Sequence, residues 1–173
     1  PEAWPATIDR IKAMNLRVLR WHHNPVPQYI LDLADEKGLL ICDESANYAR
    51  DFHKKSHHGR YLTNALKTVE PWIRADRNHP SIYLWNATNE MTYGFAGPFP
   101  AAGLVEFGER IRRLDPTRPV AYDGDSASSG TALKSKPGNL VRGAAAIPDS
   151  DVIDYHYPEG YNNEPKGSIY SWE

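Results

Sequence analysis

Residues 81–90, SIYLWNATNE, begin as an apolar run typical of a buried strand and end on an amide beside a carboxylic acid. A strand-end carboxylate can act as a nucleophile or base when it is ionised, and as a general acid when its surroundings keep it protonated. In the cleavage of a sugar–oxygen bond, an amide can hold a sugar hydroxyl while the acid protonates the departing oxygen. Asn89 and Glu90 are therefore the first candidates for chemistry, against the plainer alternatives of a turn asparagine and a solvated carboxylate.

Helical and strand patterns alternate along the chain that must position this pair. Apolar residues at helical spacing predict helices around 5–14, 27–38, 62–73 and 104–114. Continuous apolar runs such as LLICDE are expected of strands buried on both faces. Strands are predicted near 17–21, 39–43, 82–86, 119–122 and 152–156. This alternation favours an α/β fold with a parallel sheet.

The ends of the predicted strands distinguish two kinds of parallel fold. A doubly wound sheet that binds a nucleotide carries a glycine-rich first turn, and neither GxGxxG nor a P-loop occurs here. Every predicted strand instead ends in polar residues, namely RWHHN, CDE, NATNE, YDGD and DYHY. Such endings converge on the mouth of a (β/α)8 TIM barrel, where that fold places its chemistry. Because a whole barrel needs roughly 250 residues, the chain is expected to supply about five of the eight strands.

The overall composition excludes several classes of partner. The chain has 173 residues, of which 40% are hydrophobic and 24% charged, with a formal net charge of −2. This balance gives no electrostatic reason to expect nucleic acid or an anionic membrane, and the apolar runs are too short to span a bilayer. Cys42 is expected to be a buried free thiol. The start at Pro1 suggests an excised fragment or, as the second alternative, a processed protein, and the sequence leaves the compartment open.

Five segments occur together in an order and spacing that resemble one enzyme family. They are VLRWHHNP, LADEKGLLICDE, RADRNHPSIYLWNATNE, DPTRPVAYDGD and SDVIDYHYP. The chain resembles the catalytic barrel of glycoside hydrolase family 2, which includes β-galactosidases, β-glucuronidases and β-mannosidases, from about residue 8 to about residue 170. The resemblance implies that residues 1–173 are a fragment of a single barrel domain that supplies about strands 2–6 of eight, without the flanking strands and the β-sandwich domains.

The resemblance implies a retaining mechanism that uses two glutamates. Glu90 matches the acid/base at the end of barrel strand 4, and Asn89 matches its sugar-binding partner. Tyr157 matches a tyrosine that supports the nucleophile. By the family's order the nucleophile follows strand 7 and is expected beyond residue 173, so the fragment alone is expected to be inactive.

The resemblance implies four further substrate-binding residues. Arg20 and His23 match the Arg and His of the family's sugar site, and Asp43 and Glu44 match the DE that ends strand 3. The alternative for Arg20 is a salt bridge inside the barrel with Asp43 or Glu44. Trp85 is interpreted as a buried core residue rather than as a face for stacking on sugar.

The chain also departs from the family pattern. The family's SHYP reads His22-His23-Asn24-Pro25 here, and its WSLGNE reads WNATNE. The acidic residue that some galactosidases use for a metal has no clear counterpart in SANYARD, so no metal and no cofactor are implied. The histidines of residues 51–60 are interpreted as part of a solvated loop.

The implied partner is a carbohydrate with a terminal β-linked sugar, and the resemblance to β-galactosidases is the leading interpretation. The sugar's identity stays open, and so does a homo-oligomeric state. Two other interpretations remain, namely a sugar-binding remnant without catalysis and an endo-acting barrel glycosidase of the same clan.

Overall fold

The computed structural model describes residues 3–48, 58–89, 91, 101–123 and 150–152. Helices and strands alternate through these ranges. In chain order they are α1 (Trp4–Ala13), β1 (Val18–Arg20), α2 (Gln28–Lys37), β2 (Leu40–Glu44), α3 (His58–Asp76), β3 (Ile82–Asn89), α4 (Ala101–Leu114) and β4 (Val120–Asp123). None of the helices that the structure describes is both long and apolar enough to cross a membrane.

The four strands form one parallel sheet in the order β1-β2-β3-β4. Each strand therefore lies beside the next one along the chain, as in the wall of a (β/α)8 barrel, whereas a doubly wound sheet reverses its strand order. The predicted α/β alternation is confirmed for these strands. The strand predicted at 152–156 lies outside the described residues, apart from Val152.

Local sequence explains how α1 and α2 begin and end. Pro5 lies in the first turn of α1, where its missing N–H would have no partner within the helix. Gly38 ends α2 with a φ of 66°, in the left-handed region that favours glycine, and its N–H bonds to the carbonyl of Ala34. The predicted stop at Gly38 is confirmed. The predicted loop of residues 51–60 is wrong for residues 58–60, which belong to α3, and residues 51–57 lie outside the described residues.

The main core lies between the sheet and the helices. Trp85 on β3 is fully buried and meets Trp72 of α3 edge to face, with ring centroids 5.3 Å apart. Burying a large apolar side chain contributes about 1.5–3 kcal/mol. The interpretation of Trp85 as a core residue is therefore confirmed. The opposite face of the sheet carries a small cluster of Cys42, Leu84 and Ala121, and Cys42 is buried and outside any disulfide, as expected.

Strand β3 runs to Asn89, beyond the predicted end at Asn86. Its polar end is buried because its amides have partners: the Asn86 side chain donates to Glu44 at 2.7 Å, and the Asn89 N–H donates to the carbonyl of Asn47 at 2.9 Å. Buried polar groups that are hydrogen-bonded avoid most of the desolvation penalty. The strand therefore continues past the point where its apolar pattern ends.

At the N-terminal ends of the strands, Arg118 ties β4 to the turn before β3. Its guanidinium donates to the backbone carbonyls of Arg77, His79 and Ile82 at 2.9, 3.0 and 2.6 Å. It also forms an ion pair with Asp115 at 2.6 Å. The segments RNHPS and DPTRPV are thus joined to each other by one side chain.

Asp35 on α2 contacts the same turn before β3. We call the contacts that Arg118, Asp115 and Asp35 make at this end of the sheet the joint. Its carboxylate accepts the Ser81 N–H at 2.8 Å and lies 2.6 Å from Nδ1 of His79. A barrel places its chemistry at the C-terminal ends of the strands, so contacts at this N-terminal end serve stability. The contacts of Asp35 and Arg118 therefore hold the strands in register.

Asp115 is the buried carboxylate of the joint. It accepts the Trp85 indole N–H at 2.9 Å, the backbone N–H and hydroxyl of Thr117, and the Arg118 guanidinium. Burial by itself would raise the pKa of Asp115, but these hydrogen bonds outweigh it and lower the pKa to about 2. The ionised form therefore stabilises the fold at neutral pH.

We predict that Asp115→Asn lowers the free energy of unfolding of the full-length protein by about 1–3 kcal/mol at pH 7, because charged hydrogen bonds are lost. The folded pKa lies below the ordinary value of 3.8, so the stabilisation is complete above that value and is lost as the pH falls toward about 2. Urea unfolding at several pH values measures the cost, with Asp32→Asn on the exposed face of α2 as the matched control. A cost that stays constant with pH would contradict the assignment.

Candidate active site

The C-terminal ends of β1, β2 and β3 bring three polar side chains together. Arg20 ends β1, Glu44 ends β2 and Asn89 ends β3. The register pairs Arg20 with Cys42 and Glu44 with Asn86, so the ends are level enough for the side chains to meet. This is the end of the sheet at which a parallel barrel places its chemistry.

Glu44 is the buried centre of this cluster, with no exposed surface. One carboxylate oxygen accepts hydrogen bonds from Nε of Arg20 at 2.6 Å and from the side-chain amide of Asn86 at 2.7 Å. The other oxygen accepts the backbone N–H of His23 at 2.9 Å. A buried carboxylate needs such partners, and removing one partner of a buried ion pair typically costs about 3–5 kcal/mol. Glu44 therefore fixes the positions of the groups around it.

Arg20 also orients the side chain of Asn89. Its terminal nitrogen donates to Oδ1 of Asn89 at 2.6 Å, which leaves the amide NH2 directed toward the ring of His23. Nδ2 of Asn89 lies 3.1 Å from Nε2 of His23. Because the amide nitrogen of Asn89 can only donate a hydrogen bond, Nε2 of His23 is the acceptor in this arrangement. The predicted sugar-binding residues Arg20, His23, Glu44 and Asn89 thus form one connected group.

The backbone at His23 adopts an uncommon conformation. Its φ of 65° lies in the left-handed region, which non-glycine residues rarely adopt and which costs of order 1–3 kcal/mol. The hydrogen bond from its N–H to Glu44 holds the turn. Its ring stacks on Tyr48 with centroids 3.9 Å apart and on His22 with centroids 3.4 Å apart. The turn thereby directs the His23 ring toward Asn89 at the end of β3.

Asp43 lies on the opposite face of the sheet and is not part of the cluster. Its carboxylate accepts the Val26 N–H at 3.0 Å and the Trp72 indole N–H at 2.8 Å. Successive side chains of a strand point to opposite faces of the sheet, so Asp43 cannot lie on the same face as its neighbour Glu44. Against the sequence-based expectation, the structure places Asp43 among the helices.

Asp43 also faces a second buried carboxyl, Asp76 of α3. Burial raises the pKa of Asp43 to about 8, and the like charge of Asp76 adds to the effect while the hydrogen bonds from Trp72 and Val26 oppose it. Burial likewise raises the pKa of Asp76. The two carboxyls therefore hold a proton between them at neutral pH, which joins β2 to α3 directly behind the cluster.

Two predicted site residues, Glu90 and Tyr157, lie outside the described residues. Asn89, the residue before Glu90, is the last described residue of β3. The predicted roles of Glu90 and Tyr157 therefore stay predictions.

Sequence reasoning missed Asn86, Asn47 and Tyr48, all of which contact the cluster. Asn86 lies two residues after Leu84, which belongs to the small cluster on the face of the sheet opposite the helices. Period-two alternation along the strand would therefore have placed Asn86 on that face. Asn47 and Tyr48 lie in the irregular segment after β2, and no periodic signal marks them. Their position depends on a backbone bridge between Tyr48 and Asn89.

The cluster contains one group of potential metal ligands among the described residues, namely His22, His23 and Glu44, with ligand atoms within 4.8 Å of one another. Arg20 already neutralises Glu44 at 2.6 Å. The two imidazole rings are stacked at an interplanar angle of 30°, and lone pairs in stacked rings do not point at a common ion unless a ring rotates. The group is therefore better built for hydrogen bonding than for holding a metal.

Comparison with known proteins matches this chain to one family model and to several glycosidases. The family described as "Glycosyl hydrolases family 2, TIM barrel domain" matches residues 6–137. A putative β-glucuronidase of Formosa agariphila is 36% identical over 74% of this chain, and a β-galactosidase of Aeromonas hydrophila is 30% identical over 97% of it. The chain spans 12% and 15% of the lengths of these two relatives.

Solved structures show the same likeness. The apo structure of β-glucuronidase 3 of Bacteroides uniformis superposes with a TM-score of 0.60 at 30% identity, covering 70% of this chain and 16% of that one. A β-D-glucuronidase of Dictyoglomus thermophilum gives a TM-score of 0.62 at 26% identity, covering 74% of this chain and 24% of that one.

We predict that Asp76→Asn flattens the pH dependence of stability on the alkaline side. The folded pKa of Asp43 is raised, so the protein loses stability as the pH rises from the ordinary value of 3.8 to about 8. Asparagine at 76 removes the like charge and keeps an acceptor for Gln28, which donates to Asp76. The pKa of Asp43 should then fall, and melting temperature should decline less between pH 6 and pH 9.

Calorimetry of the full-length protein measures this decline, with Asp32→Asn as the control that leaves it unchanged. An identical decline in the Asp76→Asn protein would show that the two carboxyls do not share a proton.

Proposed function

Because the chain belongs to glycoside hydrolase family 2, as the sequence resemblance predicted, we propose that it forms part of the active-site wall of a retaining glycosidase. The substrate class is a carbohydrate with a terminal β-linked sugar. The α/β fold with strands arranged as in a TIM barrel is that of the family.

The observation that carries this proposal is the fixed orientation of Asn89 at the end of β3. Arg20 holds its side-chain oxygen at 2.6 Å, and Asn47 holds its backbone N–H at 2.9 Å. An amide that is locked before substrate arrives avoids the entropic cost of ordering it on binding. Asn89 is therefore suited to hold a sugar hydroxyl, and Glu90 follows it directly in the chain.

In the proposed reaction Glu90 acts first as an acid and then as a base. A second carboxylate attacks the anomeric carbon while Glu90 gives its proton to the departing glycosidic oxygen. Glu90 then takes a proton from water, whose oxygen attacks the same carbon and releases the sugar together with the free carboxylate. By the family's strand order the nucleophile belongs to a later barrel strand, and Tyr157 is proposed to support it.

Arg20, His23 and Glu44 are proposed to build the floor of the sugar site. Glu44 is fully buried and bonded on both oxygens, so it acts on the sugar through the groups it positions. Arg20 retains 32% exposure of its side chain and can meet a substrate hydroxyl or carboxylate. Asp43 has no place in this floor, since it faces the helices.

The relatives support two sugar classes. The β-galactosidases among them favour a neutral galactoside, which is our leading substrate class. The 36% identity to a putative β-glucuronidase favours a uronide as the second candidate. Hydrolysis of matched aryl β-galactoside and β-glucuronide substrates by the full-length protein separates them.

We predict that Glu90→Gln in the full-length protein slows hydrolysis of poor leaving groups by about 100-fold or more, because these depend most on proton donation. Activated aryl glycosides should lose much less in the step that releases the aryl group. Steady-state kinetics across a series of leaving groups measures the difference, with Glu109→Gln on α4, where that side chain is 55% exposed, as the matched control.

Equal loss for poor and activated leaving groups would contradict the acid role of Glu90. Tight sugar binding without hydrolysis in the native protein would instead indicate a sugar-binding remnant.

A further inference from the structure

We infer that Tyr48 is a positioning residue that aligns the Asn89 amide by clamping the ring of His23. The inference rests on the proposed function of Asn89 as the amide that binds the substrate sugar. It assigns a role to the irregular segment that follows β2.

The ring of His23 lies between two other rings. Its centroid is 3.9 Å from that of Tyr48, at an interplanar angle of 28°, and 3.4 Å from that of His22. The centroids of His22 and Tyr48 are 6.5 Å apart. Stacked aromatic pairs contribute beyond the area they bury, and a ring held on both faces has little freedom to rotate.

Tyr48 is the anchored side of this stack. Its backbone bridges to Asn89, and the carbonyl of the preceding Asn47 accepts the Asn89 N–H. The side chain of Asn47 is fixed in turn, since it accepts the Tyr61 hydroxyl at 2.5 Å and donates to Ser45 at 2.8 Å.

His22, on the other side of the stack, has a side chain that is 53% exposed. It therefore has more freedom to move than Tyr48, whose backbone is paired with the end of β3. The rigidity of the stack comes from the Tyr48 side.

The segment of residues 45–48 thus contacts Asn89 by two routes. One route is the backbone pairing, and the other runs through the stacked ring of His23 to Nδ2 of Asn89 at 3.1 Å. Nδ2 carries two hydrogens, and giving one to His23 fixes the direction of the other. A substrate hydroxyl would meet a donor whose orientation is already set, as long as the His23 ring stays in place.

The test compares Tyr48→Leu with Tyr48→Phe in the full-length protein. Leucine removes the ring, and phenylalanine keeps it. The readout is the ratio of kcat/KM for an aryl β-glycoside to that for its 2-deoxy analogue, because only the former can bond to Asn89 through the 2-hydroxyl. Tyr29→Leu, the same change at a 41% exposed tyrosine of α2, is the matched control.

The leucine variant should lower this ratio by about three- to tenfold, the range expected for a lost aromatic pair, while the phenylalanine variant and the control keep it. A purely structural role for Tyr48 would lower both rates together and leave the ratio unchanged, which would overturn the inference. Tyr48→Met serves the same comparison if the leucine variant does not fold.

Crystal structures of the variants separate this inference from the proposed function. In the leucine variant the His23 ring should turn and its Nε2 should move out of hydrogen-bonding distance of Asn89, whether or not the protein hydrolyses any glycoside. A ring and amide that stay in place would overturn the inference independently of activity. Absence of hydrolysis by the native protein would overturn only the proposed function.

Discussion

The buried carboxylate of Glu44 is the constraint on which the strand ends depend. A charge with no exposed surface must be compensated, and here Arg20, Asn86 and the backbone of His23 supply the donors. Satisfying this one group fixes residues from three consecutive strands and from the turn after β1. The orientation of Asn89 follows from it, because the guanidinium that neutralises Glu44 also holds the Asn89 oxygen.

The two ends of the sheet are polar for different reasons. At the N-terminal end, Arg118 and Asp35 bond mainly to backbone groups of the turn before β3, so their donors and acceptors are used in joining elements. At the C-terminal end, side chains bond to side chains and leave Arg20 partly exposed. The segment RNHPS, which contributes to the family resemblance, therefore marks the joint, while the chemistry is proposed for the opposite end.

Sequence alone predicted the element order well, because apolar periodicity and Gly38 report on local structure. It predicted the meeting of Arg20 with Glu44 and Asn89, since parallel strands bring their ends together. It could not assign Asp43, because two adjacent acidic residues look alike until the register decides which one faces the helices. It also missed Tyr48, whose position depends on pairing between distant segments rather than on a repeating pattern.

The most direct test of the central claim is a crystal structure of the full-length protein with its monosaccharide product bound. The account predicts that the sugar lies at the C-terminal ends of β1–β3, with its 2-hydroxyl bonded to Asn89 and the Glu90 carboxyl facing the anomeric oxygen. A sugar bound elsewhere, or a Glu90 side chain that points away from Arg20 and His23, would contradict it.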